Sequence, residues 1–499
     1  MTEAQRYLSH KFIKPDSVEH RNYQVNLADD AKKENCLVVL PTGLGKTTIA
    51  LQVIADYLQK GTGGVLFLAP TRVLVNQHYE FLKENLLIED IGIVTGEDLP
   101  SKRKKNWMNS VVCATPEITR NDLRRNIVSS DQFILVIFDE AHRTIGDYAY
   151  STIADSIVES NPRILGMTAT LPSEKEKATE IITKLRIQNL VQRSDESDDV
   201  KPYIQQTDTE WIKVELPGEM KAIQTCLRLA LDERYITLRK NGLRLSDNKS
   251  LSQLLNARQY VLTQNRRSAK PLFTAIRITY ALNIFEAHGV TPFLEFCKRT
   301  KAKKGAGIKE LFEVDPNFTR AINLAKKEQL KGYEHPKINK LVEILNHEES
   351  KVLIFSSYRD SVNVIHKKLL ELGINAEILI GKAGESGLKQ EKQIQTVQKF
   401  RDGITKALVA TRVGEEGLDI SEVNLVIFYD NVPSSIRFVQ RKGRTGRKDK
   451  GRLIVLIAKN TIDETYYFIG KRKIESAKNM GNKLSLQLEK NDKSLDDFL

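Results

Sequence analysis

A short glycine-rich segment near the start of the chain has residue types suited to holding phosphates. It reads Pro41-Thr42-Gly43-Leu44-Gly45-Lys46-Thr47, and Thr48 follows. Glycines let the backbone curl so that its N–H groups face phosphate oxygens, assisted by the positive end of a helix that begins near Lys46. Lys46 supplies a point charge to the β- and γ-phosphates, and the Thr47 hydroxyl is a natural Mg²⁺ ligand. The segment therefore predicts a nucleoside triphosphate site with Mg²⁺.

Two adjacent carboxylates follow a strongly apolar run, in Asp139-Glu140-Ala141-His142. Carboxylates at the C-terminal end of a parallel strand project over the sheet edge where ligands bind. Asp139 would hold Mg²⁺, directly or through water, and Glu140 would orient and deprotonate the attacking water. The alternatives are two solvated carboxylates that end a strand, and a His142 that is only a packed polar contact.

The segment Arg21-Asn22-Tyr23-Gln24 lies one helix before the glycine-rich loop. An amide presents a donor and an acceptor together, so Gln24 suits the edge of adenine, with Arg21 or Tyr23 beside it. These residues favour ATP as the nucleotide.

A dense cationic cluster near the other end of the chain could neutralise a phosphate during transfer. It reads Gln440-Arg441-Lys442-Gly443-Arg444-Thr445-Gly446-Arg447. Arg444 and Arg447 are the predicted arginine fingers, with Gln440 beside them, because guanidinium groups stabilise charge that builds on phosphate oxygens. The alternative is an arginine-rich surface helix, which the interleaved glycines disfavour. Gly417 and Asp419, in Gly417-Leu418-Asp419-Ile420, are expected to complete the second wall of the nucleotide site.

Two sets of short apolar runs would position these residues. The runs are Cys36–Leu40, Gly64–Ala69, Ser110–Ala114, Phe133–Phe138 and Arg163–Met167, and then Lys351–Phe355, Ala376–Ile380, Ala407–Ala410, Leu425–Phe428 and Leu453–Ile457. Near-continuous apolar runs indicate strands buried on both faces, and hence two parallel α/β sheets. A last helix is predicted from Ile462 to about Ala477.

Between the two sets the strand pattern disappears, and apolar residues recur at helical spacing in Glu219–Arg239, Leu251–Thr263 and Pro271–Ala287. We interpret this region as an all-helical insertion with an exposed basic loop at Lys301–Gly307. From Trp211 to Lys340 there are 25 Lys and Arg against 12 Asp and Glu, an excess equal to the net charge of +13 on the whole chain. Such a field attracts polyanions. The alternative is a solvated, lysine-rich helical surface.

The bulk composition is that of a soluble globular protein, and the 499 residues suggest two to four domains. There is no basic-then-apolar leader and no apolar run near the ~20 residues of a membrane span. The four cysteines form no C-x-x-C pair, which favours buried thiols in a reducing compartment. We therefore expect a cytoplasmic protein.

The ordered set of motifs resembles that of the superfamily 2 DExH helicases. It comprises the phosphate loop, Ala69-Pro70-Thr71-Arg72, Ala114-Thr115-Pro116-Glu117, Asp139–His142, Thr168-Ala169-Thr170, Phe355-Ser356-Ser357-Tyr358, Ala410–Ile420 and Gln440–Arg447. The common phosphate-loop pattern has glycine where this chain has Leu40, and the form here is the variant of that superfamily. The helical insertion, with Ile380-Gly381-Lys382-Ala383 and Gln390-Glu391-Lys392-Gln393, narrows the resemblance to the archaeal Hef and eukaryotic FANCM group, with the RIG-I-like RNA helicases as cousins.

This resemblance implies two RecA-like parallel-sheet motor domains with an all-helical insertion between them. The expected divisions are an ATP-binding helicase domain over residues 1–200, a basic, thumb-like insertion over 201–335, a C-terminal helicase domain over 336–475 and a charged tail over 476–499.

The resemblance also implies a groove that grips the phosphates of one strand. Its residues would be Pro70, Thr71, Arg72, Thr115, Pro116, Glu117, Ser356, Tyr358 and Thr411. Small hydroxyls, backbone amides and helix N-termini suit contact that ignores base sequence, although each could instead be an ordinary helix cap. Thr168, Ala169 and Thr170 would couple the groove to the nucleotide site.

Two further partners are expected from the end of the sequence. Ser494-Leu495-Asp496-Asp497-Phe498-Leu499 resembles a degenerate sliding-clamp peptide with Leu495, Phe498 and Leu499 as anchors, and a frayed tail is the alternative. The nuclease of the euryarchaeal Hef proteins has no counterpart in the sequence, so a separate nuclease would supply any cleavage.

The sequence therefore predicts an ATP-dependent DNA helicase or translocase that acts on forks and junctions in replication-fork repair. Two alternatives remain open: an ATPase of the RIG-I-like type that depends on double-stranded RNA, and a non-catalytic scaffold that binds junctions.

Overall fold

A computed structural model describes residues 6–61, 63–204, 207–381, 390–414, 420, 423–445 and 450–496. Within these residues the chain forms two parallel β-sheets flanked by helices, with a group of helices between them in sequence. The predicted fold class is thus confirmed. No helix in this described part of the chain is both long and apolar enough to span a membrane.

The first domain (described residues between 6 and 204) contains α1 (Asn22–Lys33), β1 (Cys36–Val39), α2 (Lys46–Lys60), β2 (Gly64–Leu68), α3 (Arg72–Asn85), β3 (Ile91–Val94), α4 (Pro100–Asn106), β4 (Val111–Ala114), α5 (Pro116–Arg124), β5 (Phe133–Phe138), α6 (Ala149–Ser156), β6 (Arg163–Thr168), α7 (Lys175–Lys184) and β7 (Asn189–Gln192). Its sheet has the order β3-β4-β2-β5-β6-β1-β7, with every pairing parallel. The central strands β1, β5 and β6 are neighbours, so the segments that follow them meet at one edge of the sheet.

The middle of the chain contains β8 (Thr207–Val214), α8 (Gly218–Lys240), α9 (Leu251–Gln264), α10 (Ala269–His288), α11 (Val290–Lys301) and α12 (Pro316–Leu330). We call residues 218–330 the helical insertion. Its helices enclose an apolar core with fully buried aromatic rings at Tyr235, Phe285, Phe293 and Phe318. Residues 301–306, in the predicted basic loop, are exposed.

The remaining elements are α13 (Pro336–Asn346), β9 (Val352–Phe355), α14 (Arg359–Glu371), β10 (Ala376–Leu379), α15 (Gln390–Arg401), β11 (Ala407–Ala410), β12 (Leu425–Phe428), α16 (Ser435–Lys442), β13 (Gly451–Ala458) and α17 (Ile462–Asp496). The second sheet has the parallel order β10-β11-β9-β12-β13-β8. Strand β8 therefore belongs to this sheet, although it lies within the segment 201–335 that was predicted to be helical. We call β8 and the described residues from 336 to 496 the second domain.

Helix α17 is longer than the sequence predicted and contacts both domains. It begins beside β13 and continues past Ala477 to Asp496. Leu484 joins the apolar core of the first domain, and Met480 and Leu488 pack against it. A Cβ on Gly481 would collide with the Gln192 side chain on β7, so the helix lies very close to the edge of the first sheet.

Candidate active site

The glycine-rich loop forms the predicted turn between β1 and α2. Gly43 and Gly45 have φ angles of 93° and 80°, in a region that side chains with a Cβ disfavour. A Cβ on Gly45 would also overlap the Gln24 amide. Helix α2 begins at Lys46, so the loop ends at a helix N-terminus, which suits an anion.

Tyr23 and Gln24 hold the backbone of this loop in place through hydrogen bonds. The Tyr23 hydroxyl and the Gln24 amide nitrogen both donate to the Leu44 carbonyl, at 2.8 and 3.0 Å, and both side chains are buried. Arg21 lies 5.4 Å from the ring centroid of Tyr203. Tyr203 was not among the residues predicted from the sequence. The feature that could have indicated it is its aromatic side chain in an otherwise polar linker.

Lys46 and Asp139 bring opposite charges to the loop. The Lys46 ammonium donates to the Leu40 carbonyl at 3.2 Å. Burial raises the pKa of Asp139, but the hydrogen bond from His78 and the charges of His78 and Lys46 outweigh burial, so the pKa lies below its ordinary value. An ionised, buried carboxylate fits a Mg²⁺ site, because Mg²⁺ binds through one or two carboxylates and other oxygens.

Glu140 begins a short chain of polar contacts toward the next motif. Its φ of 51° is unusual for a residue with a side chain, and such strain clusters at functional sites. The Nδ1 atom of His142 lies 3.2 Å from Glu140 Oε2 and 3.1 Å from Thr168 Oγ1. The Thr168 hydroxyl in turn donates to the Thr170 carbonyl at 3.0 Å. The Asp139–His142 segment is thereby connected to the Thr168-Ala169-Thr170 segment.

The cationic cluster of the second domain lies directly against the glycine-rich loop. A Cβ on Gly443 would be 2.7 Å from Thr42 Cβ, so Gly443 lies directly against the Thr42 side chain across the domains. A cavity opens beside this contact. Its volume of about 890 Å³ is within the usual range for small-molecule sites. We call it the cleft. It is lined by Arg21, Pro41, Thr42, Gly43, Leu44, Ala169, Thr170, Tyr203, Lys442, Gly443 and Thr445, among others.

Within the cluster, Arg441 is buried in the interior of the second domain, which the sequence did not indicate. Its guanidinium is fully buried between the rings of Phe355 and Phe428, and it donates to the Asp430 carbonyl at 3.0 Å. Gln440 and Arg444 flank it, at 1% and 9% exposure. The other predicted residues of this wall, Gly417, Asp419 and Arg447, lie outside the described residues, as do Lys382 and Ala383.

The predicted groove residues of the first domain lie at helix N-termini. Thr71 caps α3 by accepting from the Leu74 N–H at 3.3 Å, and Arg72 forms an ion pair with Glu97. Pro116 opens α5, with Thr115 before it and Glu117 in the first turn. Pro70 directly precedes the cap of α3.

In the second domain, the predicted groove residues follow strands β9 and β11. Ser356 has no exposed surface, and Thr411 is 7% exposed. Tyr358 packs against the ring of His288 in the helical insertion, at 4.8 Å between centroids. Burial raises the pKa of Tyr358 to about 12. The role of all these residues on a nucleic acid stays a prediction.

The chain is similar to known helicases over most of its length. Residues 21–178 match the family described as DEAD/DEAH box helicase, and residues 336–449 match the helicase conserved C-terminal domain. The solved helicase domain of Pyrococcus furiosus Hef is 36% identical, with a TM-score of 0.66. The match covers 92% of this chain and 99% of that one.

Two curated relatives extend this similarity. A putative ATP-dependent RNA helicase of Methanocaldococcus jannaschii is 37% identical, over 92% of this chain and 60% of the relative. The ATP-dependent DNA helicase MPH1 of Pyricularia oryzae is 32% identical, over 89% of this chain and 44% of the relative. The chain thus spans less than two thirds of the length of these proteins.

Proposed function

Because this chain belongs to the Hef-like group of the superfamily 2 DEAD/DEAH box helicases, we propose that it is an ATP-driven DNA helicase or translocase that acts on forks and junctions during replication-fork repair. The observation that carries the proposal is the contact between Gly443 and Thr42. It sets the arginine cluster of one domain against the phosphate loop of the other, which is the arrangement that converts hydrolysis into movement between domains.

Each residue of the predicted nucleotide site has a chemical task in this proposal. The backbone N–H groups of the loop and the Lys46 ammonium hold the β- and γ-phosphates. Glu140 orients the attacking water and accepts its proton, while Arg444 and Arg447 stabilise the charge that builds on the transferred phosphate. Thr47 and Asp139 would hold Mg²⁺, which neutralises phosphate charge when bound. Arg21 would face the adenine, with Tyr203 beside it. The contact of Gln24 with adenine stays a prediction, because its buried amide nitrogen is bonded to the Leu44 carbonyl.

Hydrolysis and product release would then open and close the cleft and move the groove along one strand. The chain of contacts from Glu140 through His142 to Thr168 offers a route between the nucleotide and the groove. The positive charge of the helical insertion would hold duplex or junction arms, so binding should weaken steeply with salt.

Two substitutions test the assignment of the nucleotide site. Lys46→Ala should abolish ATPase activity because the phosphates lose their nearest side-chain cation. Glu140→Gln should abolish turnover while keeping nucleotide binding, measured by fluorescence of a labelled ATP analogue. Normal turnover in either variant would refute the assignment of these residues. A wild type that binds junctions but has no ATPase turnover would instead favour the non-catalytic scaffold.

The choice between DNA and RNA needs a separate experiment. One relative is named as a DNA helicase and another as a putative RNA helicase, so the RIG-I-like alternative stays open. ATPase rates should be compared with forked DNA, linear duplex DNA and double-stranded RNA at equal concentrations. Our proposal requires the largest stimulation by forked DNA, and a preference for double-stranded RNA would overturn it.

The remaining predictions concern partners and location. The Leu495 side chain, Phe498 and Leu499 lie outside the described residues, and their contact with a sliding clamp stays a prediction. Deletion of the last six residues of the chain should abolish clamp pull-down, and unchanged recovery would dismiss the idea. A separate nuclease partner and a cytoplasmic location also stay predictions.

A further inference from the structure

One buried histidine outside the motifs contacts the carboxylate of Asp139. His78 lies on α3, is 7% exposed and stacks at 4.4 Å against the ring of Phe67 on β2. Its Nε2 atom is 2.9 Å from Asp139 Oδ2. An ionised carboxylate can only accept a hydrogen bond, so Nε2 carries the hydrogen.

The hydrogen bond from His78 fixes the orientation of the Asp139 carboxylate, which the backbone contacts of Asp139 leave free. The Asp139 N–H donates to the Leu68 carbonyl at 2.9 Å, and the Tyr150 hydroxyl donates to the Asp139 carbonyl at 2.7 Å. The main chain is therefore held on both sides. What remains is rotation of the carboxylate, and the bond from His78 selects one orientation of it.

Helix α3 also reaches the predicted nucleic-acid groove. Its N-terminus is the Thr71 cap followed by Arg72. Seven residues, or about 10 Å of helix, separate Thr71 from His78. Because a helix moves as a stiff rod over two turns, a shift of its N-terminus on a nucleic acid would change the position of the His78 ring.

We propose that His78 is a positioning residue that holds the metal-binding carboxylate of Asp139, and that α3 thereby links occupancy of the groove to the affinity of the nucleotide site for Mg²⁺. The proposal rests on the proposed function, because it takes Asp139 as a Mg²⁺ ligand and the start of α3 as part of the groove. Replacing a residue that hydrogen-bonds a metal ligand typically changes the metal affinity by about 10–100-fold.

The test compares variants with and without a hydrogen-bond donor at this position. His78→Met removes the donor and keeps an apolar side chain of similar length, whereas His78→Gln can still present an N–H to the carboxylate. Asn76→Met makes a similar change at an exposed position of the same helix and serves as the control. The readout is binding of a fluorescent ATP analogue over a Mg²⁺ titration, with and without forked DNA.

We expect His78→Met to raise the Mg²⁺ concentration for half-saturation about 10-fold or more, with nucleotide binding in EDTA unchanged. His78→Gln should recover most of this loss, and Asn76→Met should behave as the wild type. In the wild type, forked DNA should lower the half-saturating Mg²⁺ concentration, and His78→Met should lose this response.

A His78→Met variant with wild-type Mg²⁺ half-saturation and an intact DNA response would overturn the proposal. So would a wild type whose Mg²⁺ response ignores forked DNA. If His78→Met does not fold, His78→Phe keeps a ring against Phe67 without a donor and decides the question. If neither variant folds, His78 is a core residue and the proposal is withdrawn. A wild type without Mg²⁺-dependent nucleotide binding would instead refute the proposed function itself.

Discussion

Around the cleft, the contacts of the second domain with the first domain differ in character from its contacts with the helical insertion. Toward the insertion, contacts are buried and hydrogen-bonded. The Glu286 carboxylate on α10 is 3% exposed and accepts from the Ile462 N–H of the second domain at 2.7 Å. Within the insertion, it also accepts from the Gln224 amide at 2.7 Å and from Arg228 at 2.8 Å. Ala458 on β13 belongs to the apolar core of the insertion.

Toward the first domain, several side-chain contacts are half-exposed ion pairs around the cleft. Lys442 lies 3.4 Å from Asp195, and Lys473 lies 3.3 Å from Glu174, with 36–45% of each side chain exposed. Pairs of this kind contribute roughly 0–1 kcal/mol each.

This difference indicates where the molecule can move. A buried network resists rearrangement because a broken bond leaves unsatisfied polar groups away from water. Exposed ion pairs exchange with water at little cost. The insertion and the second domain should therefore move together, and opening should occur at the cleft. Four measurements test this distinction.

The largest effect should come from the cleft and should concern activity rather than stability. Arg444→Ala should lower the ATPase kcat about 10³-fold or more, as for other arginine fingers, because transition-state charge loses its partner. Lys442→Ala on the same wall should change kcat only a few-fold, since its ion pair is exposed. A kcat for Arg444→Ala within ten-fold of the wild type would remove Arg444 from the catalytic set.

At the buried interface, Glu286→Ala should destabilise the protein by about 3 kcal/mol, because the Ile462 N–H and the Gln224 amide lose their acceptor. Urea unfolding measures this change. Glu219→Ala, an exposed carboxylate on α8, is the matched control and should cost under about 0.5 kcal/mol. Equal values for the two variants would show that the network does not hold the insertion.

The same interface should weaken in acid. The pKa of His288 is about 3, well below its ordinary value, and burial is the largest cause. Asp430 raises this pKa, and Lys337 and Arg441 lower it. Between the ordinary pKa near 6.5 and this value, the unfolded chain binds a proton that the folded chain excludes. Stability should therefore fall with decreasing pH, by about 2 kcal/mol at about pH 5.

Urea unfolding at about pH 7 and about pH 5 measures this loss. His288→Gln should remove the share that belongs to His288. Burial also lowers the pKa of His335 well below its ordinary value. The contribution of His335 to the loss of stability should therefore remain in this variant. A loss that is identical with and without His288 would contradict the expectation.

The smallest effect should come from the ion pairs between the first and second domains. Lys473→Ala should change the free energy of unfolding by less than about 1 kcal/mol, and added salt should reduce even this difference. A cost above about 2 kcal/mol would mean that this interface is as firm as the buried one.

The sequence predicted the central strands well, because a strand buried on both faces has a continuous apolar run. Phe133–Phe138, Ala407–Ala410 and Leu425–Phe428 have the predicted bounds. Strand β8 was missed because it lies at the edge of its sheet and its side chains alternate between exposed and half-buried. Such a pattern in a charged segment does not reveal which distant strand, here β13, pairs with it.

Some features of the site were readable from the sequence and others were not. Motif spacing predicted that Lys46 follows the first strand and that Asp139 and Glu140 follow β5, and the structure has them there; their chemical roles stay predictions. His78 was not found, because one histidine on an amphipathic helix has the same pattern whether it packs in a core or contacts a carboxylate. The apolar spacing of Met480, Leu484 and Leu488 could have predicted the continuation of α17.

Helix α17 is about 50 Å long. It starts in the second domain and packs its far end against the first. A continuous rod attached at both ends works as a tether. The two domains can therefore pivot about the cleft without separating. In the motor that we propose, we expect this attachment to restore the same alignment after each opening.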